Sequence, residues 1–219
     1  MSKTEVLKHI QEAGLLPVLR ADSAVQALAL AKAIEAGGIT ALEVTMTVPD
    51  AIEVIRSLVR LTGDRILIGA GTVLDPETAR ACILAGAVFI VSPALNLKTI
   101  EVCHRYSVPV IPGALTPTEV VTAWEAGADV VKVFPCSAMG GAKYLKALKA
   151  PLPQIDLIPT GGVSLSTAAE FLSAGAFALG VGADLVNPRA IAEGKPELIT
   201  QTAREYLEII RQARQKDNA

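Results

Sequence analysis

The stretch Ala126-Gly127-Ala128-Asp129-Val130-Val131-Lys132-Val133-Phe134 holds the plan of the chain: a helical pattern stops at a glycine between small residues, and a β-branched run follows at once. The same Ala-Gly step, followed by Gly or Ala, recurs at Gly37, Gly86, Gly127 and Gly175, with spacings of 49, 41 and 48 residues. A glycine at these points suits a helix C-terminus that needs positive φ, and its small neighbours let the chain turn tightly into the next strand. Each period spans two strand-helix units, so four quarters make eight units.

Working outward, the strand candidates are Leu16–Arg20, Ala41–Met46, Ile66–Thr72, Phe89–Pro93, Val108–Pro112, Val130–Phe134, Asp156–Thr160 and Phe177–Val181. Segments of helical period lie between them, several opening on Ser, Thr or Asp suited to capping, and PELITQTAREYLEIIRQARQ closes the chain. Alternation of this kind implies a parallel sheet with right-handed crossovers. Eight units without a Gly-rich dinucleotide fingerprint favour a closed α/β barrel, a (β/α)8 TIM barrel, over an open sheet. The amphipathic stretch Glu5–Ala13 is expected to be an extra N-terminal helix covering the barrel bottom. No linker appears, so residues 1–219 are read as one barrel domain.

Bulk properties narrow the function. Of 219 residues, 51% are hydrophobic and 19% charged, with formal net charge -2, so no basic face is offered to nucleic acid. MSKTEVLKHIQEAG lacks the apolar segment of a signal peptide, and no apolar run approaches the length of a membrane span. A cytoplasmic location is expected. Cys82, Cys103 and Cys136 are odd in number and far apart, and His9 and His104 are the only histidines, which suggests neither disulfides nor a zinc site.

Three charged residues interrupt strands whose inward side chains should be apolar: Arg20, Glu43 and Lys132. The chain has ten lysines, and Lys132 alone stands inside a β run. Burial disfavours the ammonium and leaves an amine able to attack a carbonyl, with a nearby carboxylate to move protons. The alternative is a structural Lys132–Glu43 ion pair, which the small net stability of buried pairs disfavours. The loops after the seventh and eighth strands, Pro159-Thr160-Gly161-Gly162 and Gly180-Val181-Gly182-Ala183, are glycine-rich where barrels commonly hold phosphate. Taken singly these glycines fit tight turns; as adjacent loops they indicate an anion site.

The runs LPVLRA, GGITALEVTMTVPDA, IGAGTVLDPE, FIVSPALN, IPGALTPTE, VKVFPCSAMGG, PTGGVSL and ALGVGADL, in order from about Leu15 to Leu185, resemble the 2-keto-3-deoxy-6-phosphogluconate (KDPG) and 4-hydroxy-2-oxoglutarate (KHG) aldolases, class I enzymes. The resemblance implies a (β/α)8 barrel, commonly a homotrimer, acting on a small 2-keto acid without metal or cofactor. It makes Lys132 the Schiff-base lysine and Glu43 the general acid/base acting through a water. Thr72, Pro93 and Phe134 fall around the pyruvate half, Arg20 becomes the carboxylate partner, and Gly161, Gly162 and Gly182, beside Thr160, fall at the phosphate. Two positions depart from the pattern. Thr47 stands where many relatives carry an Arg, and Ala183 where phosphate-using relatives often carry a Ser hydroxyl. Three readings follow: cleavage of a 4-hydroxy-2-keto acid to pyruvate and an aldehyde, decarboxylation of oxaloacetate through the same enamine, or a barrel that binds a phosphorylated metabolite without chemistry.

Overall fold

A computed structural model of the chain describes residues 1–217. The first helix, α1 (Lys3–Ala13), forms because Ser2 and Glu5 make a reciprocal capping box and Gly14, at φ 67, ends it. Its buried Val6 and Ile10, one turn apart, pack against Leu16, Ala41, Leu67, Phe89, Val91, Ile111, Val130 and Ile158 of the barrel interior. The N-terminal segment therefore closes the bottom of the barrel as expected.

The strands are β1 (Leu15–Leu19), β2 (Ala41–Thr45), β3 (Leu67–Gly71), β4 (Ile90–Val91), β5 (Val110–Ile111), β6 (Gly113–Ala114), β7 (Val131–Val133), β8 (Leu157–Pro159) and β9 (Leu179–Val181). Helices α2 (Ala24–Ala36), α3 (Ala51–Thr62), α4 (Pro76–Leu84), α5 (Leu97–Arg105), α6 (Pro117–Glu125), α7 (Ala142–Lys149), α8 (Ala168–Ser173), α9 (Pro188–Ala192) and α10 (Pro196–Asp217) wrap them. All pairings are parallel, in a six-stranded arc β5-β4-β3-β2-β1-β9 and a three-stranded arc β6-β7-β8. A bridge between Thr160 and Gly180, with Phe177 N–H donating to Leu157 O at 2.9 Å, closes β8 onto β9. The result is the (β/α)8 barrel that the repeat implied.

Differences from the sequence reading have local causes. The fifth strand, expected over Val108–Pro112, begins only at Val110, because the Val108 N–H is held by Cys103 O at the end of α5 and Pro109 has no N–H. Pro112, which has no N–H, ends the pairing with β4, and the chain continues as β6 beside β7, with Lys132 N–H donating to Pro112 O at 2.9 Å. The strands expected at Phe89–Pro93, Asp156–Thr160 and Phe177–Val181 shorten to two or three residues each. Arg20 falls one residue beyond β1. Gly37 is not in the left-handed region: its φ is -78, and Gly38 carries the positive φ of 96. A Cβ on Gly37 would lie 2.4 Å from the Ala203 Cβ, so glycine stands there for the close approach of α10. Helix α9 was not anticipated, although Asn187 caps it and Pro188 opens it. No helix among the described residues is long and apolar enough to cross a membrane.

The three thiols are free and buried, and burial pushes them up to about 11 for Cys82 and Cys136 and about 12 for Cys103. Inside the barrel, small residues on one strand receive large ones from another. A Cβ on Gly69 would lie 2.1 to 2.3 Å from the fully buried Phe89 ring. Gly69→Ala is expected to destabilise the fold by about 3 kcal/mol through overpacking, seen as a lower urea midpoint; an unchanged midpoint would refute this account of the interior.

Candidate functional site

Glu43 is the middle residue of β2 and Lys132 the middle residue of β7, strands that lie on opposite sides of the barrel. Only inward side chains can meet across that space, and they do: Lys132 Nζ lies 3.5 Å from Glu43 Oε1. Lys132 is 6% exposed and Glu43 1%. Among the described residues Glu43 Oε1 finds no hydrogen-bond donor, although buried polar atoms are normally satisfied. Room for the carboxyl comes from Gly71, where a Cβ would approach Oε1 to 2.7 Å. Such an unsatisfied acceptor beside an amine weakens the structural ion-pair reading, because a pair kept for stability needs its remaining lone pairs filled. It is suited to exchanging protons with a guest.

Phe134, two residues after Lys132 and on the same face, links the pair to the outside. Its ring centroid is 5.6 Å from Lys132 Nζ, and it also lines a cleft of about 530 Å³ with Val18, Arg20, Thr160, Gly161, Gly162 and Gly182. The two glycine-rich loops expected to form an anion site thus share one cleft. Gly161 and Gly162 have φ 87 and 78, and a Cβ on Gly162 would lie 2.3 Å from the Ser137 Cβ, so glycine is needed at Gly162 on both counts. Among the described residues no acceptor is seen for the N–H groups of Gly162 and Ala183, and the Arg20 guanidinium has no ion-pair or hydrogen-bond partner. Arg20 is exposed, yet faces the cleft. These are free donors around a concave surface, the requirement for holding an anion.

Thr72 and Pro93 stand apart from that cleft lining. Thr72 follows β3 with φ 57, a left-handed conformation uncommon for a β-branched residue. Pro93 follows β4, and its carbonyl carbon would be 2.2 Å from a Cβ on Gly113, so the backbones of β4 and β6 meet there. Thr47 has a structural use. The single hydroxyl proton of Thr45 goes to Leu19 O at 3.0 Å, so in the 2.7 Å contact between the two threonines Thr47 donates. That chain ties the end of β2 to the residue preceding Arg20. Sequence reasoning missed the roles of Gly71 and of Asp184, which also lines the cleft. An acidic residue directly after Gly182-Ala183 was the available signal for the latter.

The arrangement is a buried amine beside a buried carboxylate in the barrel interior, next to a cleft lined by free donors. The family model for KDPG and KHG aldolases matches residues 6–202. The 2-dehydro-3-deoxy-6-phosphogalactonate aldolase of Escherichia coli (strain K12) is 38% identical over 90% of this chain and 96% of its own. The 2-dehydro-3-deoxy-phosphogluconate aldolase of Pseudomonas aeruginosa is 37% identical over 90% of both chains. A solved KDPG aldolase from Legionella pneumophila, with pyruvate captured as a covalent carbinolamine, superposes with a TM-score of 0.82 at 32% identity, covering 89% of this chain and 95% of that one. The chain belongs to the KDPG and KHG aldolase family and is a carbon-carbon lyase.

Proposed function

We propose that the chain is a class I aldolase that cleaves a 4-hydroxy-2-keto acid to pyruvate and an aldehyde through a Schiff base on Lys132. The observation that carries this reading is the buried Lys132–Glu43 pair at 3.5 Å, with an unsatisfied carboxylate oxygen. The Lys132 amine attacks C2 of the keto acid, and Glu43 delivers the proton that lets water leave the carbinolamine. The iminium then takes up the electron pair of the C3–C4 bond as Glu43, through a water, removes the C4 hydroxyl proton. The aldehyde departs, C3 of the enamine is protonated, and hydrolysis frees pyruvate and the amine. Arg20 and Thr72 hold the substrate carboxylate in this reading, Pro93 and Phe134 flank the pyruvate half, and Thr160, Gly161, Gly162 and Gly182 receive the distal end.

Borohydride reduction in the presence of pyruvate tests it. A stable pyruvate adduct mapped to Lys132 is expected, and an intact mass that shows none would overturn the Schiff-base assignment.

Ala183 favours a second use of the same site. It lines the cleft without the hydroxyl that would face a phosphate, and a hydrogen bond to a charged group contributes about 1.5–3 kcal/mol. Decarboxylation of oxaloacetate, and cleavage of 4-hydroxy-2-oxoglutarate, need no phosphate contact. Ala183→Ser should lower KM for the phosphorylated sugar acid by about tenfold or more and leave oxaloacetate turnover unchanged. An unchanged KM for the phosphorylated substrate would remove this second reading's basis.

A further inference from the structure

The two walls of the anion cleft are held by a single oxygen. Asp184 Oδ2, on the loop after β9, accepts from the Leu165 N–H at 3.2 Å on the loop after β8 and from the Tyr206 hydroxyl at 2.5 Å on α10. Tyr206 is 0% exposed, whereas Asp184 lies at the surface. Burial, reinforced by the Asp184 carboxylate, pushes the Tyr206 hydroxyl well above the usual tyrosine range, so it stays a proton donor. The loop carrying Asp184 is compact, because the Leu185 and Val186 N–H groups both donate to Gly182 O, at 3.1 and 2.8 Å. Asp184 therefore cannot shift without moving Gly182 and Ala183. A carboxylate at the rim of an anion cleft also opposes a bound phosphate. Its use as a double acceptor, joining three segments, accounts for its presence there.

We propose that the Tyr206–Asp184–Leu165 chain of hydrogen bonds sets the width of the anion cleft, so that Tyr206 and Asp184 are positioning residues for the phosphorylated end of the substrate. This rests on the aldolase reading of the cleft and concerns only its distal end, since Lys132 and Glu43 project from other strands. The helix α10, far in sequence from either loop, becomes the anchor from which the subsite is measured.

Tyr206→Phe removes one donor and keeps the ring. The expected result is a rise of about tenfold in KM for the phosphorylated 4-hydroxy-2-keto acid, with kcat and the KM for 4-hydroxy-2-oxoglutarate unchanged. Asp184→Asn, which keeps an acceptor oxygen and loses the opposing charge, must show no rise in KM, whereas Asp184→Ala, at an exposed position, must reproduce that split even if Tyr206→Phe folds poorly. Equal rises for both substrates, no change in Asp184→Ala, or equal impairment by Asp184→Asn and Asp184→Ala would each overturn the proposal. Inorganic phosphate supplies a readout independent of turnover: its stabilisation of the parent against heat should weaken in Tyr206→Phe and Asp184→Ala and persist in Asp184→Asn. If the parent forms no pyruvate adduct, the aldolase reading fails, and the phosphate series still decides whether this chain shapes the cleft.

Discussion

Replacing Lys132 by Ala should lower kcat/KM for aldol cleavage by about 10⁴-fold or more and abolish the borohydride-trapped pyruvate adduct. The size follows from the role: without the amine no iminium forms, and no other group offers the C3–C4 electron pair a place to go. Among the described residues Lys132 is the only buried lysine, so a substitute amine is not at hand. The loss must be separated from a folding defect, because Ala leaves Glu43 alone in the interior, and breaking a buried pair typically costs about 3–5 kcal/mol. Lys132→Arg serves this purpose. It keeps a cation near Glu43 but cannot form the Schiff base, so it should be as inactive as Ala in the same assay. A trapped adduct in either variant, mapped to another lysine, would refute the assignment.

Glu43→Gln should lower kcat by about 10²- to 10⁴-fold, the usual contribution of a positioned general acid/base. The amide fits the space that Gly71 leaves, so a stable fold is expected, measured as a melting temperature close to the parent's. The pyruvate adduct should still form on long incubation with borohydride, because the amine is intact and only proton delivery is impaired. A rate indistinguishable from the parent's would show that another group or bulk water moves the proton. The two variants thus separate bond formation at C2 from proton transfer around it.

The barrel was legible because its signals are local and repeated. A Val, Ile and Leu run, a glycine after a helix and a capping residue before the next each act within a few positions, and they recur along the chain. Strand ends were less legible, since they depend on which N–H finds a partner in a neighbouring strand; Pro109 and Pro112 shorten the fifth strand in a way that hydrophobic periodicity does not register. Gly37 shows the same limit, being glycine for contact with Ala203 of α10 and not for its own backbone angle. In the candidate site, Lys132 and Glu43 stood out because a charge inside an apolar strand is conspicuous in any one sequence. Gly71 and Asp184 did not, because each acts through one tertiary contact, with the Glu43 carboxyl and the Tyr206 hydroxyl respectively. Thr47 could be marked as unusual but not explained until its hydroxyl was seen to bond Thr45.

At Pro112 one stave of the barrel changes neighbours, pairing as β5 with β4 and as β6 with β7, while Lys132 N–H donates to Pro112 O at 2.9 Å, so this stave joins the arcs that carry the two reacting groups. Lys132 belongs to the arc of three strands and Glu43 to the arc of six, while the opposite seam is held by the Thr160–Gly180 bridge, the Phe177–Leu157 bond and, in the loops beyond, the Leu165–Asp184 bond. The 3.5 Å separation is therefore a gauge of how firmly the two arcs are clasped. A slip of one arc along the other would spoil proton exchange while leaving every helix folded. The chemistry depends on the fastening of the cylinder as much as on the identity of the two side chains within it.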